Sequence, residues 1–91
     1  MTDGRESQLE SPLEFPCDLP IKVFGRNDAR FRAAVVAILE SHFGTVEKVT
    51  EQPSKKANYV SLTVTVRAES RAQADAAYAA LVANEHVLMA L

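Results

Sequence analysis

Few residues in this 91-residue chain have the types and spacing that chemistry requires. Gly25-Arg26, followed by Phe31-Arg32, joins a glycine to arginines, a combination that can cradle a phosphate when backbone amides are free to point at it. Lys55 and Lys56 stand together and could grip an anion, although a two-lysine turn is most often just solvated. Phe24 and Tyr59 could stack on bases if a fold brought them to one exposed face, with Ser61 beside them. His42 and His86 have no acid-base partner near them in sequence. With Cys17 as the single cysteine, neither an internal disulfide nor a spaced metal-ligand set is available. No enzyme is visible in this inventory, and no cofactor or metal is expected.

What positions these residues is legible in the apolar periodicity. Asn58 to Glu69 alternates strictly: Val60, Leu62, Val64 and Val66 fall on one side, Tyr59, Ser61, Thr63, Thr65 and Arg67 on the other. That is a strand with one buried face, and its β-branched residues suit a pleated surface. Asp18 to Gly25 predicts another strand, with Leu19, Ile21 and Val23 inward. Asn27 or Asp28 can cap a helix whose stripe is Phe31, Ala34, Val35, Ile38 and Leu39, closed by Gly44. Thr45 to Gln52 carries Glu47, Lys48 and Glu51, the pattern of a charged edge strand. Pro53 ends it, and Ser54 to Ala57 connects it as a hairpin to the central strand. Ser70 with Gln73 forms a capping box for a second helix, striped by Ala74, Ala77, Tyr78, Leu81 and Val82. His86 to Leu91 predicts a last short strand.

The order is β-α-β-β-α-β, an α+β ferredoxin-like fold with both helices on one face of a four-stranded antiparallel sheet. The opposite face has no cover. It is expected to present Lys22, Phe24, Tyr59, Ser61, Thr63, Thr65 and Arg67, with Leu88 added if Val87, Met89 and Leu91 point inward. Residues 1–12 are polar and without period, so a disordered tail is expected before a single domain over residues 13–91.

Composition narrows the function classes. Apolar residues make up 47% of the chain and charged residues 24%, a globular balance, and no apolar run is long enough to span a membrane. The start Met-Thr-Asp-Gly-Arg-Glu holds neither an export signal nor a lipidation motif, so a cytoplasmic location is the default expectation. A net charge of −2 argues against an extended nucleic-acid surface.

The Gly25-Arg26 and Phe31-Arg32 pairs superficially resemble the first loop of acylphosphatases, small enzymes of the same topology. The loop here is one residue shorter, Asp28 and Ala29 stand where free amides are needed, and no asparagine in the second strand could position water. A helix-capping turn with two surface arginines is the expectation instead.

A broader resemblance covers most of the chain after Leu13. Phe15-Pro16, Lys22-Val23 with Gly25, Pro53-Ser54 with Lys56, Asn58-Tyr59 with Ser61, and the final Val87, Met89 and Leu91 together resemble the YbeD-like family of small bacterial proteins. Ala57 stands where that family's pattern carries a glycine. The resemblance implies an ACT-like ferredoxin fold and a regulatory role linked to lipoate. It also implies a small ligand, lipoate or an amino acid, near Gly25, Arg26, Asn27 and Asp28. Without a fused catalytic domain, such regulation would act on a partner enzyme in trans. The alternatives are a protein-interaction domain without a small ligand, and a weak RNA binder using the open sheet face. Phe24, Tyr59, Ser61, Lys55, Lys56 and Leu88 make up the expected interaction surface, and a weak symmetric dimer through the open face or the C-terminal edge is predicted.

Overall fold

The computed structural model describes residues 14–91, so the tail expected over residues 1–12 lies outside the described residues. Strand β1 (Cys17–Arg26) is followed by helix α1 (Ala29–Phe43), strands β2 (Val46–Pro53) and β3 (Tyr59–Ala68), helix α2 (Arg71–Ala83) and strand β4 (Val87–Ala90). The sheet order is β2-β3-β1-β4, antiparallel throughout, and this is the ferredoxin-like arrangement the sequence predicts.

Helix α1 starts where the Asp28 side chain accepts a hydrogen bond from the Phe31 amide, 2.9 Å away. It ends at Gly44, whose φ of 84° only a residue without Cβ adopts freely and whose amide donates to the Glu40 carbonyl. In α2, Ser70 accepts from the Gln73 amide at 3.1 Å, while the Gln73 side chain reaches back to the amide of Glu69 at 2.6 Å. The same side chain donates to the His42 carbonyl at the end of α1, so one glutamine ties the start of α2 to the finish of α1.

The core lies between the helices and one sheet face. Leu19, Ile21 and Val23 of β1 and Val60, Leu62, Val64 and Val66 of β3 meet Phe31, Val35 and Leu39 of α1 and Ala74, Ala77 and Leu81 of α2. Four stripe positions fall outside the fully buried set: Ala34, Ile38 and Tyr78 are only half-buried, and Val82 is exposed because α2 turns its Ala74-Ala77-Leu81 line inward.

Both edge strands are irregular. In β2 the register shifts between Val46 and Lys48, which puts Val46 opposite Val66 and Val49 opposite Val64, both on the helix side despite their odd spacing. In β4 a shift sets Val87 opposite Gly25 but Met89 opposite Phe24. This corrects the expected facing of β4: the extra residue, Leu88, resets the alternation, so Met89 and then Leu91 join the open face and only Val87 stays buried.

The β2–β3 hairpin turns through a bond from the Ala57 amide to the Ser54 carbonyl, and Ala57 takes a left-handed φ of 61°. The tight turn that a glycine would favour therefore forms with alanine at that position. A left-handed conformation costs a residue with Cβ roughly 1 kcal/mol. Ala57→Gly is expected to raise stability by up to about 1 kcal/mol in urea denaturation, and a lowered midpoint would show that unfolded-chain entropy outweighs the relieved strain.

Candidate functional site

Backbone register brings the chemistry-bearing residues to one end of the open sheet face. Arg26 lies opposite Tyr59 and Phe24 opposite Ser61 across the central β1–β3 pair. The Arg26 guanidinium sits over the Tyr59 ring, 5.8 Å from its centroid. Phe24, Tyr59, Val60 and Ser61, with Gln52, Pro53 and Ser54 from the end of β2, enclose an open cleft of about 230 Å³ with a largely apolar lining. A second, polar hollow of about 310 Å³ continues along the same face between Lys22, Thr50, Gln52, Ser61 and Thr63. Farther along, Arg67 pairs with Asp18 at 3.2 Å.

Of the residues expected to bind a ligand, Gly25, Arg26, Asn27 and Asp28, only Arg26 presents a side chain beside this cleft. Gly25 is buried: a Cβ there would run into the Phe31 ring and come within 2.8 Å of the His86 carbonyl. The glycine makes room for a core aromatic. Asn27 donates from Nδ2 to the Ala57 carbonyl at 2.9 Å and accepts from Arg32 Nη2 at 2.5 Å, while its amide donates to the Asn58 carbonyl. Asn27 thus pins the hairpin to the end of β1. Asp28 is engaged as the helix cap.

Arg32 completes this corner by pairing with Glu51 of β2 at 2.6 Å. The bond from Arg32 holds the Glu51 carboxyl below its ordinary value of 4.5, and the Phe31 amide holds Asp28 below 3.8. Both shifts favour the ionised form in the fold, so the unfolded chain takes up protons first as the pH falls. Their contribution is complete above the ordinary carboxylate values and is lost as pH drops through the depressed folded ones. Thermal melts between about pH 6 and about pH 3 should show this acid loss, and a double variant, Asp28→Asn with Glu51→Gln, should flatten it. An unchanged acid limb in that variant would assign the loss to other carboxylates.

The remaining candidates lie apart. His42 donates from Nδ1 to the Ile38 carbonyl at 3.0 Å within its own helix, and His86 sits in the turn before β4. Cys17 is a free, partly exposed thiol at the start of β1. Lys55 and Lys56 are exposed on the hairpin tip. Among the described residues no cluster of three or more His, Cys, Asp or Glu could hold a metal ion, and no helix is long and apolar enough to cross a membrane. The contribution of Gln52, Pro53 and Ser54 to the cleft is absent from the residues picked out by sequence. Proline at the end of a charged strand, beside the hairpin, is the signal that marks it.

These features define a small ferredoxin-like domain with one sheet face that no described residue covers and an apolar cleft at the hairpin end of that face. The model of the family described as "Protein of unknown function (DUF493)" matches residues 10–91, and the chain belongs to that family, the YbeD-like group of small bacterial proteins. A UPF0250 protein of Paraburkholderia phytofirmans is 42% identical over 84 residues, 90% of this chain and 94% of the relative. One from Ralstonia nicotianae is 40% identical over the full length of both chains. The solution structure of protein HP0495 from H. pylori shares the fold, with a TM-score of 0.75 over 93% of this chain and 92% of that one, at 16% identity.

Proposed function

We propose that this domain is a small non-enzymatic binding module that regulates a partner enzyme in trans, and that its ligand is a small amphipathic carboxylate of the lipoate or amino-acid kind. What supports this is the pairing of an apolar cleft with an arginine at its side. Phe24, Pro53 and Tyr59 offer an apolar bed, and among the described residues no carboxylate pairs with Arg26. An apolar pocket with a few convergent polar groups is the usual form of a small-molecule site, and arginine can bind a carboxylate through two parallel hydrogen bonds. Lys55 and Lys56, on the hairpin at the same end of the sheet, add positive field for an approaching anion.

Isotope-shift titration tests the ligand directly. Lipoate or an amino acid should move the amide signals of Phe24, Arg26, Tyr59 and Ser61. Arg26→Ala should weaken the effect about tenfold, the loss of roughly 1.4 kcal/mol expected for a charged hydrogen bond. Shifts across Phe24 and Tyr59 with short RNA alone would favour a nucleic-acid binder. No response to any of them at millimolar concentration would leave a protein partner without a small ligand.

A further inference from the structure

We propose that the outer edge of β4, which no other described strand pairs, pairs antiparallel with β4 of a second copy of this chain across a two-fold axis, joining two four-stranded sheets into one. The pairing rests on no part of the cleft reading. Its ground is a contrast between the sheet's two edges. The β2 edge carries Glu47, Lys48 and Glu51, is bulged near Val46 and ends in Pro53, all devices that discourage pairing. The β4 edge, Val87–Ala90, carries no charge and no proline. Exposed apolar side chains lie along it: Leu88 is 63%, Met89 51% and Leu91 62% accessible. Val82 is exposed on α2, the helix in contact with β4.

The backbone adds direction. Lys22 and Leu91 exchange both of their hydrogen bonds, at 3.1 and 2.7 Å, so they form a hydrogen-bonded pair of the antiparallel ladder. Alternation makes Met89 and Phe24 the next such pair. Ala90, between them, must then turn its N–H and C=O away from β1, toward the open edge. The Tyr78 hydroxyl also donates to the Leu91 carbonyl, at 2.8 Å, and holds this end of the strand in place.

A second β4 is the occupant that suits this edge. It is equally short and uncharged, and a two-fold axis at Met89 sets each Ala90 opposite Leu88 of the other copy, a self-complementary match. The charged β2 edge of another molecule would instead set Glu47, Lys48 and Glu51 beside the apolar side chains of β4, with no charge there to answer them. An axis normal to the sheet keeps the helices of both copies on one side and both open faces on the other. So few residues bury well under the ~1,200 Å² of a standard interface, so the dimer is weak, with a dissociation constant on the order of 10⁻⁴ M.

Sedimentation equilibrium from about 10 µM to about 1 mM should reveal monomer and dimer, with amide exchange at Ala90 slowed about fourfold at the upper concentration. Ala90→Pro removes the outward N–H of Ala90 and leaves the bonds of Met89 and Leu91 to β1 untouched, as edge positions allow. That variant should remain monomeric with an unchanged circular dichroism spectrum. Should it fail to fold, the concentration dependence of Ala90 exchange in the unmodified chain decides. A monomer at 1 mM, a folded Ala90→Pro variant that dimerises like the parent, or Ala90 exchange independent of concentration would each overturn the proposal.

Discussion

Replacing Gly25 with alanine should destabilise the domain by about 3 kcal/mol or more, and valine in its place should prevent folding. No rotamer choice relieves the conflict, because the first atom of any side chain meets the Phe31 ring on one side and the His86 carbonyl on the other. Phe31 is fully buried and cannot swing into solvent, and the carbonyl belongs to the turn that feeds β4. Chemical denaturation reads the loss. Shrinking the aromatic should restore part of it: Phe31→Leu should cost less in the Gly25→Ala background than in the parent, with a coupling of at least about 0.5 kcal/mol. A Gly25→Ala midpoint equal to the parent's would mean that β1 and α1 shift apart freely. The test also bears on the site, since it shows that the glycine is required for packing before any ligand is considered.

Leu39→Ala should cost about 2 to 5 kcal/mol, whereas Ile38→Ala, one residue earlier on the same helix, should cost less than half as much. Leu39 is fully buried against the sheet, while Ile38 is half-buried at the margin of the core. For a small domain whose whole stability is about 5 to 10 kcal/mol, the first change approaches unfolding and the second does not. Urea midpoints with unchanged slopes decide it. Equal losses would mean that α1 is rotated so that both side chains share the core.

This pair illustrates how much was legible beforehand. Spacing of three and four residues identifies an apolar stripe, but its width is set by what packs against it. Ala74 and Ala77 bring α2 close enough to define where the core ends, which the α1 residues alone do not reveal. The central strand is plain because β3 is flanked on both edges and covered on one face, so that every second residue from Val60 to Ala68 must be apolar or small. The β4 bulge left no trace, since Leu88, Met89, Ala90 and Leu91 are all apolar and any register satisfies such a run. The β2 bulge did leave one: two valines three residues apart cannot share a face of a regular strand. For the site, placing Phe24, Tyr59 and Ser61 together follows from the crossing of β1 and β3, whereas the β2 residues that wall the cleft depend on the hairpin register. The engagement of Asn27 with Ala57 spans about a third of the chain, and nothing local announces it.

The antiparallel pairing of Cys17 with Ala68 at one end of β1 and of Arg26 with Tyr59 at the other has a kinetic consequence. The two central strands are separated in sequence by a helix and an edge strand, so their ladder closes only after a long loop has been gathered. The β2–β3 hairpin, with Pro53 opposite Val60, is the one strand pair that local contacts can nucleate. Assembly should therefore begin there and be limited by the docking of β1, giving milliseconds rather than the microseconds of a helical bundle. Substitutions in β1 such as Ile21→Val should slow refolding, while those in β4 should mainly hasten unfolding.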